Sequence, residues 1–172
     1  MLALILIVIV LVAIAFALPR KYEVVRSIDI AASPDKVFEQ INDPRNWAKW
    51  TVWNQRDPAM KIDYSGAASG EGAKWVWRSQ SEGNGEMEFT RSDAPKLLAY
   101  KLYFPDFDSR STGELALVPA GIGNGTRLTW SNRGDLGNNP MRRWMGLAMD
   151  KMVGSDFDAG LRNLQSLLEK QG

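Results

Sequence analysis

From Met1 to Leu18 the sequence carries no polar side chain, and the run ends at Pro19-Arg20-Lys21. Beyond it, apolar residues first alternate with polar ones and then, toward the C-terminus, recur at steps of three and four. Alternation marks a strand with one covered face, and the three-four step marks a helix with one apolar stripe. Tyr22 to Ala31 is the first alternating segment, with Val24, Arg26, Ile28 and Ile30 on one face and Val25, Ser27 and Asp29 on the other. Ser33-Pro34-Asp35 then supplies an N-cap, a proline for the first helical position and a first-turn acid, which predicts a short helix over Asp35 to Ile41. Asn42-Asp43-Pro44 stops it. Trp47, Trp50 and Trp53 follow at every third position, a spacing that sets them on one side of a second short helix or turn.

Six further strands are expected at Met60 to Ser65, Ala73 to Ser79, Glu86 to Ser92, Lys96 to Phe104, Ser111 to Val118 and Thr126 to Ser131. Turn residues separate them, with Asn84-Gly85 and Asn124-Gly125 as the sharpest hairpin signals and Gly121 to Gly125 as the last turn. Connections this short leave no room for crossover helices, so the six strands form an antiparallel meander. Trp75 and Trp77 share a face, as do Met87 and Phe89, and Leu128 and Trp130. Lys74, Arg78, Glu86, Glu88, Arg127 and Thr129 occupy the opposite faces, so one side of the sheet is wet and the other is covered.

The cover is the segment from Pro140 to about Lys170. Its stripe runs through Met141, Trp144, Met145, Met149, Met152, Val153, Phe157, Leu161, Leu164 and Leu168, with Asn139 as N-cap and Lys170 and Gly172 suiting the far end. Such a helix is about 45 Å long, enough to cross a whole sheet. Gly146, Gly154 and Gly160 interrupt it at a cost of about 1 kcal/mol each relative to alanine, so they permit a close approach or a bend. The stripe is rich in Met and Trp in its first half and in Leu in its second. Methionine adapts to irregular space, which points to a cavity opposite the first half, although core packing accounts for each residue taken singly.

Composition narrows the chemistry. With 172 residues, 45% of them hydrophobic and 24% charged, the chain holds one domain with a substantial core and a short extra segment. A net charge of +1 without a basic run gives no footprint for nucleic acid. Cysteine and histidine are both absent, which excludes disulfides, Ser-His and Cys-His pairs, and His-Cys metal sites. The apolar N-terminus reads as a transmembrane anchor over residues 1–19, followed by a ligand-binding domain over 20–172. A cleaved signal peptide ending at Ala15-Phe16-Ala17 is the rival. Arg20, Lys21 and Arg26 then place the domain of this single-pass protein on the cytoplasmic side, with the periplasmic or extracellular side left open.

Arg26 to Phe38, Asp43-Pro-Arg-Asn-Trp-Ala-Lys-Trp50, Gly125 to Trp130 and Gly160-Leu-Arg-Asn-Leu164, in this order of elements, resemble the START-like superfamily, the polyketide cyclase/dehydrase and lipid-transport proteins. The resemblance spans about Tyr22 to Glu169. It implies an α+β helix-grip fold: a curved antiparallel sheet of about seven strands wrapped on a long C-terminal helix, with two short helices after the first strand. It also implies a deep apolar cavity between sheet and helix, which relatives use to bind lipids, sterols, hormones or polyketides and sometimes to catalyse on them. Strand alternation and the helix stripe then nominate Trp50, Trp53, Trp75, Trp77, Tyr103, Trp130, Met145, Met149 and Met152 as the lining. A one-residue slip of register inverts part of that set.

Catalysis would require a pocket-facing carboxylate from among Glu71, Glu86, Glu88, Glu114, Asp135 and Asp156, with Tyr64, Tyr100, Tyr103 or Arg110 beside it. Alternation turns Glu86 and Glu88 toward solvent, and the histidine that enzymes of the superfamily often use is missing. No cofactor or metal is expected: Asp106 and Asp108 lack a third ligand, and Gly121 to Gly125 lacks the helix that follows a phosphate loop. The leading expectation is a membrane-tethered module that binds a hydrophobic or amphipathic small molecule. A cyclase or dehydratase on a polyketide-like substrate, and an interaction domain without ligand, are the alternatives.

Overall fold

The computed structural model describes residues 1–121 and 124–170. The chain folds as α1 (Leu2–Ala17), β1 (Lys21–Ile30), α2 (Pro34–Asn42), α3 (Pro44–Trp50), α4 (Val52–Arg56), β2 (Lys61–Gly66), β3 (Ala73–Arg78), β4 (Gly85–Asp93), β5 (Leu97–Phe104), β6 (Ser109–Pro119), β7 (Thr126–Asp135) and α5 (Pro140–Glu169). The seven strands form one sheet in the order β1-β7-β6-β5-β4-β3-β2 with every neighbour antiparallel. β2 to β7 are therefore the expected meander, and β1 closes its end by pairing with β7, Arg26 opposite Trp130. This is the α+β helix-grip arrangement.

Three local differences from the expected elements have identifiable causes. Thr51 is extended, at φ −75° and ψ 143°, so the tryptophan-bearing segment is two short helices rather than one and three short helices follow β1. Asn84-Gly85 does not form a two-residue hairpin. Gly83 takes the positive φ of 75°, and Gly85 is instead the first residue of β4, where an added Cβ would lie 2.1 Å from the Trp77 ring. In the last turn, Ile122 and Gly123 lie outside the described residues, as does Gly172 at the end of the chain.

The expected membrane anchor does not stand. α1 has 16 residues, about 24 Å of helix against a hydrocarbon core of about 30 Å, and among the described residues no helix is long and apolar enough to cross a membrane. The single-pass localisation and the membrane as a partner, both read from Met1 to Leu18, fall with it. α1 packs instead against the first half of α5. Arg143 Nη1 donates to the Phe16 carbonyl at 2.8 Å with its guanidinium 5.3 Å from the Phe16 ring, and Trp144 Nε1 donates to the Leu11 carbonyl at 3.3 Å.

The core lies between the sheet and the second half of α5. Phe157, Leu161, Leu164 and Leu168 are buried there against Val24, Leu128 and Trp130 of the sheet and Val37, Phe38 and Ile41 of α2. Gly154 is what lets β1 approach. A Cβ on it would stand 2.0 Å from Arg26 Nη2, so the absent side chain leaves the groove in which Arg26 crosses α5 to reach Asp158 at 3.0 Å and Asp150 at 2.9 Å. Its guanidinium is held above its ordinary pKa by the hydrogen bond to Asp150 first and Asp158 second, so it stays charged.

Candidate functional site

The site begins at Asp43, whose carboxylate caps α3 by accepting from the Arg45 N–H at 2.8 Å. The cap fixes the rotation of α3, and Trp47 Nε1 completes it by donating to the Ile41 carbonyl at 2.7 Å. Trp47 then meets Trp75 at 5.5 Å and Trp130 at 5.7 Å, edge to face in both cases. Trp130 stacks on Phe157 of α5 at 3.8 Å with 5° between the rings. Trp50 and Trp130 are 0% and 1% exposed, so these two expected lining residues fill the interior between sheet and helix. Trp50 Nε1 has no hydrogen-bond partner among the described residues.

What remains open is a cavity of about 300 Å³ at the β2–β5 side of the sheet, under α4. The break at Thr51 turns α4 so that Trp53 forms one wall, facing Trp75 and Trp77 of β3, while Met152 and Val153 of α5 close the side. Trp77 lies across the bare backbone of Gly85 and meets Phe104 edge to face at 5.8 Å. Of the expected lining, Trp53, Trp75, Trp77 and Met152 are brought together here. Tyr103 is on the opposite face of the sheet beneath Arg110, 4.2 Å from its ring centre. Met145 is exposed on the first half of α5 and Met149 is half-buried there, neither of them at this cavity.

Trp47, Ile62, Met87, Leu102 and Phe104 line the cavity without having been nominated. Met87 and Leu102 could have been found, because Trp75 pairs with Met87 and Met87 pairs with Leu102 across adjacent strands, which places all three on one face. At the polar end of the cavity only Asp156 is among the expected groups, and Arg56 and Glu82 carry no sequence signal. There Arg56 of α4 is forked between two carboxylates from distant segments. Nη1 and Nη2 donate to Asp156 of α5 at 2.7 and 2.9 Å, and Nε and Nη2 donate to Glu82 of the β3–β4 connection at 3.1 and 2.8 Å. Trp53 Nε1 adds a bond to Asp156 at 2.9 Å. These bonds, Asp156 before Glu82, hold the Arg56 guanidinium above its ordinary pKa.

The candidate proton-transfer groups are scattered. Asp156 alone among the nominated carboxylates lines the cavity, and both its oxygens already accept. Glu86 and Glu88 pair with Lys74 and Lys101 on the polar face, Asp135 pairs with Arg20, and Glu71 and Glu114 are exposed. Tyr100 is buried on the inner face, where its hydroxyl accepts from Trp130 Nε1 at 3.0 Å and Asn132 Nδ2 at 3.3 Å. Burial pushes it up to about 12, so it holds its proton as a core group away from the cavity. A larger hollow of about 1040 Å³ lies over the polar face between β1 and β4. Charged strand residues such as Glu23, Lys101 and Arg133 rim it, so it is a wet groove.

Residues 21–169 match the family described as polyketide cyclase / dehydrase and lipid transport. The chain belongs to that family. No curated protein matches the chain. Solved structures of the same fold include a Mesorhizobium loti protein, 21% identical, covering 87% of this chain and 98% of that one with a TM-score of 0.63. Norcoclaurine synthase of Thalictrum flavum, solved as a point mutant with a transition-state analogue, is 13% identical, covering 88% of this chain and 96% of its own with a TM-score of 0.67. At these identities the likeness shows the fold of the polyketide cyclase / dehydrase and lipid transport family and nothing finer.

Proposed function

We propose that the chain binds a hydrophobic or amphipathic small molecule in the cavity enclosed by α4, β3 to β5 and the middle of α5. The observation that carries this is an aromatic-walled hollow of about 300 Å³ with its polar groups gathered at one end. That arrangement, an apolar body with a few placed polar groups, is the general form of a small-molecule site. Family membership supports it, because hydrophobic ligands are common in this family. The volume narrows the reading. An apolar hole of about 150 Å³ takes a benzene ring, so this one takes a ligand of about two fused rings rather than a long lipid. Trp50, Trp130 and Phe157 occupy the space a longer molecule would need.

The test is titration with a neutral two-ring probe, 2-naphthylmethanol, read by quenching of tryptophan fluorescence. Saturable binding to the wild type is expected, weakened about tenfold or more by Val153→Phe, which fills the cavity, and unchanged by Met145→Phe, which lies outside it. Unchanged circular dichroism in both variants keeps the comparison fair. No saturable binding to the wild type, or equal loss in both variants, would overturn the reading.

A further inference from the structure

We infer that the natural ligand carries a cationic group, an amine or other organic cation, seated at the end of the cavity formed by Asp156 and Glu82. The inference rests on the binding reading above and adds the ligand's charge. Among the described residues lining the cavity there is one cation, Arg56, and two carboxylates, Asp156 and Glu82, so the polar end is net negative by one charge. Four of the five N–H donors of Arg56 are already engaged, which leaves a single Nη1 hydrogen and no free fork for an anionic ligand. Its Nε, Nη1 and Nη2 all point at carboxylate oxygens within 3.1 Å, in two bidentate pairs. To be gripped by two bonds from Arg56, a ligand carboxylate or phosphate would have to break one of those pairs and leave a shielded carboxylate behind. A cation needs no such exchange, because Asp156 Oδ1 and both Glu82 oxygens accept one bond each and keep a free lone-pair direction.

Two further features favour a cation over a neutral polar group. The Asp156 and Glu82 side chains are 20% and 15% exposed, so their charge is poorly screened and is felt inside the cavity. Trp53 stands beside them and Trp75 and Trp77 line the same cavity, and an indole face attracts a cation more strongly than any other side-chain ring. Trp53 is the junction. Its ring forms the wall while its N–H is tied to Asp156, so the aromatic face and the carboxylate are fixed relative to each other.

The experiment compares three probes of one shape on the full chain: 2-naphthylmethylamine, 2-naphthylmethanol and 2-naphthoic acid. The amine is expected to bind about tenfold tighter than the alcohol at low salt and the acid weakest, the gap between amine and alcohol narrowing as ionic strength rises. Glu82→Gln and Asp156→Asn should each bring the ratio of amine to alcohol affinity down toward one. Glu82 sits on a loop, so its variant reports even where loss of the Asp156 bonds to Trp53 and Arg56 disturbs the fold. Equal binding of amine and alcohol sinks the cation inference and leaves the cavity reading standing. The acid binding tightest overturns it in favour of Arg56 as an anion receiver, and failure of all three probes overturns the cavity reading itself.

Discussion

The two halves of α5 carry one continuous apolar stripe and meet opposite fates. From Gly154 to Leu168 the stripe is sealed against the sheet, with Phe157 2%, Leu161 1%, Leu164 0% and Leu168 7% exposed. From Met141 to Met152 it is open, with Met141 73%, Met145 54% and Met152 61% exposed, and α1 packs along this half. Periodicity says which face of a helix is apolar; it does not say how far along the helix a partner extends. The switch from Leu to Met along the stripe coincides with the place where the sheet stops covering it. Methionine, which tolerates irregular surroundings, is the residue type found on the open side.

Deleting a stripe side chain should separate the two halves most strongly. Leu161→Ala removes a fully buried side chain packed beside Trp130 and should cost about 3–5 kcal/mol, and Phe157→Ala, which also removes the stack, about the same. Met145→Ala at the equivalent stripe position should stay within about 0.5 kcal/mol of the wild type. Denaturant titration of the three variants gives the answer, and equal shifts in midpoint would mean the open half is packed in solution.

The glycines sharpen it one step further. Gly154→Ala forces its Cβ into Arg26, which must leave its pairs with Asp150 and Asp158, at a cost of about 1–3 kcal/mol. Gly146→Ala meets only the far end of the Leu136 side chain at 2.5 Å, so the better helix propensity of alanine offsets the clash and the net change should be under about 1 kcal/mol. Thermal melts of the two variants separate a groove that a neighbour occupies from a glycine that could be replaced.

The contrast also marks what could be read from the residues. The meander, the existence of the first strand and the span of α5 follow from alternation, turn residues and the three-four step, because each is set by neighbours in sequence; the pairing of β1 with β7 is not. The cavity does not follow, because its limits depend on which tryptophans are swallowed. Trp47, Trp50 and Trp53 look alike in sequence, yet the capped α3 buries Trp50 wholly in the core, leaves the buried Trp47 with an edge on the cavity, and the extended Thr51 sends Trp53 to the cavity wall. Tyr103 is expected on the inner face, whereas the alternation of β5 places Tyr100 and Leu102 there and turns Tyr103 outward. The fork of Arg56, Asp156 and Glu82 joins three segments far apart in the chain, and no spacing rule encodes it. For Met1 to Leu18 composition alone suggests a span, while the helix it forms is 16 residues long and lies on α5.

The sealed half also has a titratable signature. Tyr100 lies beneath it, pushed up to about 12 from an ordinary 10.0 by burial, against the lowering by its bonds from Asn132 and Trp130. A folded-state pKa above the unfolded one gives stability that is complete below the unfolded value and is lost as pH rises through the folded one. Stability should therefore decline from about pH 10 toward pH 12, and Tyr100→Phe should flatten that decline at a cost near neutral pH of about 1 kcal/mol for the lost hydrogen bonds. Tyr22 and Tyr64, raised chiefly by their own burial, leave a smaller slope in the variant. A decline unchanged by the substitution would place its origin outside the sealed half.

The smallest effect on stability falls on the residue that connects the open half to function. Met152 is 61% exposed, yet it lines the cavity beside Val153 and Asp156, at the point where the stripe passes from open to sealed. Its thioether has few core partners to lose, so Met152→Ala should change stability by less than about 0.5 kcal/mol. It nevertheless covers one side of a hollow of about 300 Å³, and shortening it lets water reach the rings of Trp53 and Trp77. A ligand held by contact with those rings should then bind about threefold to tenfold more weakly, as expected for removing two or three methylene-sized groups from a pocket wall. Calorimetric unfolding and the 2-naphthylmethanol titration, run on the same sample, check both halves of that statement. A large stability loss would show that the sealed region reaches further toward the N-terminus of α5 than Val153. Unchanged probe affinity would show that the wall of the cavity ends at Val153 and that Met152 belongs wholly to the open half.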